Sequence, residues 1–317
     1  MPDCYYVGID TSNYTTSVSL ADENGNVVAN LKSPLVVKEG GRGLRQSDAV
    51  FAHVKNLPQL MRDIGALLKG KTVRAIGVST RPRDAKGSYM PCFLTGEVAA
   101  ESLAAGLGAP VYRFSHQSGH LMAALYSSGA ADTLLERPFG AFHVSGGTTE
   151  MLLVKPDRVG FSVELLGGSA DLHAGQAIDR IGVAMGLAFP CGPALEKLAM
   201  ENTKKIPKPR ISVREGSCNL SGLENLALDL YRKTGDKALT AAYVLRFLSL
   251  TLAEMAHWLR QTHGDLPILF SGGVMSNRII ASYIGSQLGT VKFAEPAFSA
   301  DNAAGIALLC RSKALKD

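Results

Sequence analysis

The chain has 317 residues, 46% of them hydrophobic and 19% charged, which is enough for two domains with buried cores of their own. That balance excludes a disordered, collagen-like or coiled-coil protein. A net charge of +5, from 33 basic and 28 acidic residues, permits a nucleic-acid partner without requiring one. Cys4, Cys92, Cys191, Cys218 and Cys310 are widely spaced with no Cys-x-x-Cys pair, so neither a disulfide framework nor a thiolate zinc site is expected, and a cytoplasmic location is.

Tyr5–Asp10, Thr15–Ala21 and Val27–Leu31 read as strands, the last two joined by an Asn24-Gly25 turn, so the chain opens as a β-meander. A polar stretch from Lys38 to Ser47 follows. Ala49–Leu68 then has apolar residues at helical spacing, with Pro58 near a turn of that helix. Val73–Ser79 is a predicted strand, Leu94–Leu107 a helix and Pro110–Phe114 a strand, and Ser115 caps a helix to about Leu125. Gly129–Arg137 reads as a linker.

A second set begins with Phe139–Val144, a glycine-rich turn and Glu150–Val154, so the opening strand-turn-strand recurs. Helices are predicted at Gln176–Gly186, Ala194–Glu201, Gly222–Lys233 and Ala238–Thr262. After them come a strand at Ile268–Phe270, a helix from Ser276, a strand at Thr290–Phe293 and a terminal helix from about Ala300. The most apolar stretch, Leu239–Leu259, carries Arg246 and Glu254, and Met1-Pro2-Asp3 begins no targeting segment, so no membrane association is expected. The expected architecture is two α/β halves with a central cleft. The first half comprises residues 1–130, completed by the C-terminal helix 300–317, and the second comprises 131–299.

Three glycine- or hydroxyl-rich turns fall at strand ends. Asp10-Thr11-Ser12 admits either an Asx/Ser turn or a carboxylate and hydroxyls that meet a phosphate or its metal. Val144-Ser145-Gly146-Gly147-Thr148 lets backbone amides approach a phosphate, and Ser271-Gly272-Gly273 opens a helix toward one. None matches the dinucleotide or Walker pattern. His116 and His120, at i and i+4, place two imidazoles on one helix face, as ordinary surface histidines or as a chelating pair whose third ligand comes from afar. Asp301 stands where a helix cap would.

The run His116-Gln117-Ser118-Gly119-His120, Val144 to Gly147, Asp171 to Asp179, Phe189 to Pro193, Ser271 to Asn277 and Asp301 to Gly305 resembles, in order and spacing, the TsaD family. That family was once described as O-sialoglycoprotein endopeptidases and belongs to the actin/Hsp70/sugar-kinase (ASKHA) superfamily. The resemblance implies transfer of a threonylcarbamoyl group from threonylcarbamoyl-adenylate to the exocyclic amine of the tRNA adenosine beside the anticodon. It also implies one iron or zinc ion per subunit on His116, His120 and Asp301. The adenine nucleotide, threonylcarbamoyl-AMP or ATP, would be held by Val144, Ser145, Gly146, Gly147, Thr148, Asp179, Gly192, Glu196 and Asn277. No protein nucleophile is implied. TsaB-like and TsaE-like partners are, and a dimer is compatible. Thr148, Gln176, Ser79 to Arg83, Glu224 and the segment Gly40 to Asp48 depart from the family pattern and mark a divergent branch or paralogue. The alternatives are a non-catalytic nucleotide-binding scaffold and a small-molecule kinase or carbamoyltransferase of the same fold.

Overall fold

The structure, a computed structural model, describes residues 4–36, 44–157, 160–299 and 302–317. The chain start, part of the polar stretch from Lys38, and Asp301 lie outside these residues. The chain divides into two compact units. One comprises Met1–Leu135, Pro156–Val163 and Ala300–Asp317, and the other Glu136–Lys155 and Glu164–Ser299.

In the first unit, β1 (Cys4–Ser12), β2 (Thr15–Asp22) and β3 (Val27–Pro34) form the meander that the Asn-Gly turn implies. Helix α1 (Gln46–Leu67), β4 (Thr72–Arg81), α2 (Phe93–Leu107), β5 (Val111–Ser115), α3 (His116–Ser127) and α4 (Ala131–Leu134) follow. The sheet order is β3-β2-β1-β4-β5, with β1 antiparallel to β2 and parallel to β4, and β4 parallel to β5. Because side chains alternate along β1, Val7 and Ile9 turn to one face and pack with Leu57, Leu60 and Ile64 of α1 and Ala100 and Ala104 of α2. The stretch Gly129–Arg137, expected as a linker, contains α4, one buried turn at Leu134. Pro58 lies inside α1, within the helix expected there. The buried stripe Ala49, His53, Leu57, Leu60 and Ile64 holds the helix against the core on both sides of it.

In the second unit, β6 (Phe139–Val144), β7 (Thr149–Pro156) and β8 (Phe161–Gly168) precede α5 (Ala174–Ala184) and α6 (Gly192–Met200). A two-residue pair, β9 (Val213–Arg214) and β10 (Ser217–Cys218), leads into α7 (Ser221–Thr234) and α8 (Lys237–His263). Then come β11 (Ile268–Ser271), a 3-10 turn at Gly273–Ser276, α9 (Arg278–Leu288), β12 (Val291–Phe293) and α10 (Pro296–Ser299). The sheet order β12-β11-β6-β7-β8 repeats that of the first unit: a three-stranded sequential run with two later strands added at its first member. Phe142 and Phe270 stack at 4.8 Å between centroids in its core. By length and apolarity α8 could cross a membrane, but 78% of its most apolar window is buried as the core helix of this unit.

Helix α11 (Ala304–Ala314) returns to the first unit and covers the other face of its sheet, against β1, β4 and α3. It begins at Ala304, later than the expected start near Ala300. A side chain at Gly305 would collide with the Gly119 carbonyl and lie 2.8 Å from the Ala123 amide, so α3 and α11 cross at backbone contact distance. All five cysteines are free thiols.

Candidate functional site

The site in the first unit is assembled where β5 becomes α3. Ser115 caps the helix, its Oγ accepting from the Ser118 amide at 3.1 Å, which fixes His116 as the first helical residue and His120 one turn later. The two imidazoles meet edge to face, 4.3 Å between centroids, with their Nε2 atoms 2.9 Å apart. Nδ1 of His116 lies 2.9 Å from Oδ1 of Asp10, which is fully buried near the end of β1 and also accepts from Ser79 Oγ on β4. A proton on Nδ1, held by the carboxylate, leaves Nε2 as the ring's lone-pair nitrogen.

Two Nε2 atoms in direct hydrogen-bond contact are also spaced to share a metal ion in place of the proton between them. Imidazole–metal bonds of about 2.0–2.1 Å place neighbouring ligand nitrogens roughly 3 Å apart, close to the separation found. Asp10 sits behind His116, on the ring nitrogen turned away from His120, in the outer position that orients a ligating imidazole. Among the described residues no group of three His, Cys, Asp and Glu side chains is arranged to hold a metal. Asp301, the implied third ligand, lies outside the described residues.

Asp84 supports this helix start. Its Oδ2 accepts from Ser115 Oγ and Ser118 Oγ, both at 2.7 Å, and its Oδ1 accepts from Arg81 Nε at 3.1 Å. Burial pushes the Asp84 carboxyl up, but these hydrogen bonds outweigh it and hold the group below the ordinary carboxylate value. Sequence spacing could not expose Asp84, because its serine partners lie 31 and 34 residues further on. Of the other two residues of the expected phosphate loop, Thr11 is occupied within the fold. Its hydroxyl donates to the Cys92 carbonyl at 3.0 Å and accepts from the Gly96 amide at 3.1 Å. Ser12 is buried at the end of β1.

In the second unit the expected nucleotide residues form a closed ring of contacts. The β6–β7 turn is pinned by the Ser145 amide donating to the Thr148 carbonyl at 2.7 Å. The start of α5 rests against it, the Gly175 amide donating to Ser145 O at 3.1 Å and the Ala174 amide to Thr149 Oγ1 at 2.9 Å. A Cβ at Gly175 would lie 2.6 Å from Gly146 Cα, so only glycine allows this approach. One turn on, Asp179 Oδ1 accepts from the Cys191 amide at 2.8 Å, just before Gly192 opens α6. Burial raises the Asp179 pKa, while that amide bond lowers it. Glu196 on α6 accepts from the Arg278 amide at 2.7 Å, and buried Asn277 caps α9 through the Ile280 amide at 3.1 Å. Gly272 closes the ring, since a Cβ there would lie 2.3 Å from the Val144 carbonyl oxygen. Backbone amides at two helix starts and a glycine turn, with three polar side chains, can receive a phosphate and a ribose.

Two α/β units with the same strand order and helices on their sheets define an ASKHA-type fold. Solved structures agree at the level of fold. The chain superposes on component A of the (R)-2-hydroxyglutaryl-CoA dehydratase of Acidaminococcus fermentans with a TM-score of 0.56 and 15% identity, covering 98% of this chain and 99% of that one. A ROK family glucokinase from Streptomyces griseus, in complex with glucose and AMPPNP, gives a TM-score of 0.51 at 15% identity over 97% and 99% of the two chains. Full-length HypF gives 0.62 at 12% identity, covering 98% of this chain and 46% of that one. The family model for TsaD, tRNA N6-adenosine threonylcarbamoyltransferase, matches residues 27–308, and the chain belongs to that family of transferases. The tRNA N6-adenosine threonylcarbamoyltransferase of Thermotoga neapolitana is 30% identical over 277 residues, which are 86% of this chain and 81% of the relative.

Proposed function

We propose that the protein transfers a threonylcarbamoyl group from threonylcarbamoyl-adenylate to N6 of the tRNA adenosine beside the anticodon, with one iron or zinc ion bound by His116, His120 and Asp301. The observation that carries this reading, within the family, is the 2.9 Å separation of the His116 and His120 Nε2 atoms with Asp10 behind the first. A bound ion would supply Lewis-acid polarisation of the carbamoyl carbonyl. The ring of Val144–Thr148, Asp179, Gly192, Glu196 and Asn277 binds the adenylate: amides take the phosphate, and the carboxylates accept from ribose hydroxyls. The substrate amine is itself the nucleophile. A carbon–nitrogen bond forms, the bond from the carbonyl carbon to the phosphate oxygen breaks, AMP leaves with that electron pair, and the amine loses a proton.

The reading includes protein partners and a cytoplasmic setting. Phe51 and Val54 on α1 and Leu94 and Val98 on α2 are exposed on adjacent helices of the first unit, an apolar surface suited to a TsaB-like subunit. A TsaE-like ATPase would act with that pair. The test is elemental analysis of the purified protein, followed by incubation with threonylcarbamoyl-adenylate, unmodified tRNA and the partners, with nucleosides read by mass spectrometry. One metal per chain and a modified adenosine are expected. His116→Ala, His120→Ala and Asp301→Ala should each lose the metal while staying folded, and unchanged stoichiometry in all three overturns the metal assignment.

A further inference from the structure

We propose that a groove in the second unit, walled by α6, α8 and α9, binds the phosphodiester backbone of an RNA strand. The inference rests on the reading of tRNA as acceptor and adds a contact surface to it. The groove has a volume of about 580 Å³ and lies beyond the far end of α6 from Gly192, lined by Met200, Ile206, Arg246, Arg278, Ile279 and Tyr283 among others. Two of these are exposed guanidinium groups, and among the described residues neither Arg246 nor Arg278 forms an ion pair with a carboxylate.

Arg246 is also held in place. Its guanidinium carbon lies 4.2 Å from the centroid of the Tyr283 ring, a cation–π contact that restrains the side chain. A planar donor fork fixed in this way matches two oxygens of one phosphate. Lys205, Lys208 and Arg210, exposed on the loop that contributes Ile206, add positive charge at one side. Arg210 is close enough to α8 for its charge to lower the Tyr243 phenol pKa against the larger upward effect of burial. Lys204 is partly neutralised by Asp236, 2.8 Å away, so the unbalanced charge belongs to the arginines and the remaining loop lysines. Met200, Ile206 and Ile279 supply an apolar surface for ribose and base faces. A cluster of cations along one groove is the arrangement that follows a nucleic-acid backbone through its phosphates.

Fluorescence anisotropy of an unmodified tRNA transcript, titrated with the full chain at several KCl concentrations, tests this. Arg246→Ala/Arg278→Ala should bind every tRNA sequence more weakly and reduce the slope of log K against log salt by about one to two, as expected for one or two lost phosphate contacts. Lys69→Ala/Arg74→Ala, the same charge change on the first unit, should bind as wild type. Arg246→Lys should fall between, since it keeps the charge but loses the fork. Wild-type affinity and slope in the double variant overturn the groove and leave the acceptor reading standing. No tRNA binding by the wild type overturns both. Calorimetric binding of inorganic phosphate that the double variant loses, with tRNA binding unchanged, assigns the groove to a small phosphate compound and overturns the RNA assignment.

Discussion

Asp10 and His116 are 106 positions apart in the chain, yet Oδ1 of the first and Nδ1 of the second lie 2.9 Å apart inside one unit. The carboxylate is wholly buried, and Ser79 also donates to it. Asp10→Asn keeps the shape but removes the charge that holds the Nδ1 proton. Metal affinity, measured by competition with a chromophoric chelator, should fall about 10–100-fold with the fold retained by circular dichroism. Undiminished affinity would show that Asp10 does not orient His116.

Asp179 combines a burial-raised pKa with one amide hydrogen bond. Asp179→Ala should weaken adenylate binding in calorimetry by roughly ten- to a hundred-fold, the range for a lost charged hydrogen bond. Because the raised value brings protonation in at higher pH than for an ordinary carboxyl near 3.8, wild-type affinity should begin to fall on acidification before an exposed aspartate titrates. Equal affinity in the variant argues against a ribose contact at this position.

Much of the first site is legible in the sequence because its parts are local. Ser115 caps, and His116 and His120 share a helix face by spacing alone. In the second unit only the turns at Val144–Thr148 and Ser271–Gly273 mark themselves at strand ends; Asp179, Gly192, Glu196 and Asn277 follow from the family resemblance and carry no local signal of their own. What escapes is non-local or marginal. Strand β8 has a mostly half-exposed pattern with no continuous apolar run, and β9 and β10 are two residues each. Asp84 has no motif at all and gains its position only when the β4–α2 connection folds onto the start of α3.

Asp171 is a carboxylate clamp between α5 and α7. It accepts from the amides of Leu172 at 2.5 Å and Leu220 at 2.8 Å and from the hydroxyl of Ser221 at 2.5 Å. Burial raises its pKa, but these bonds together hold it at about 2 against an ordinary 3.8. A depressed folded-state value means that its stabilising effect is complete above the unfolded value and is lost as pH falls through the folded one. The difference in urea midpoint between wild type and Asp171→Asn should therefore be constant above about pH 5 and shrink between about pH 4 and pH 2. A difference independent of pH would remove the charge from the explanation.

Gly305→Ala should destabilise the protein by about 1–3 kcal/mol in chemical denaturation, because the added methyl meets the backbone of α3 rather than a movable side chain. As α3 carries both histidines, the same variant should lower metal content, whereas Gly285→Ala, inside α9 where a Cβ meets nothing within 4 Å, should leave metal content unchanged and cost no stability.

The return of α11 to the first unit also sets an order on biosynthesis. The ribosome must make all of the second unit before Gly305 can close on Gly119, so the histidine pair stays without its backing helix through most of translation. The second unit is contiguous apart from the short Pro156–Val163 excursion and can fold as soon as it emerges. The opening meander meanwhile waits, with the Gly8 and Gly77 face of its sheet uncovered, for the last helix to arrive. Release of the chain before α11 has been made therefore leaves a first unit that exposes this face to chaperones and proteases.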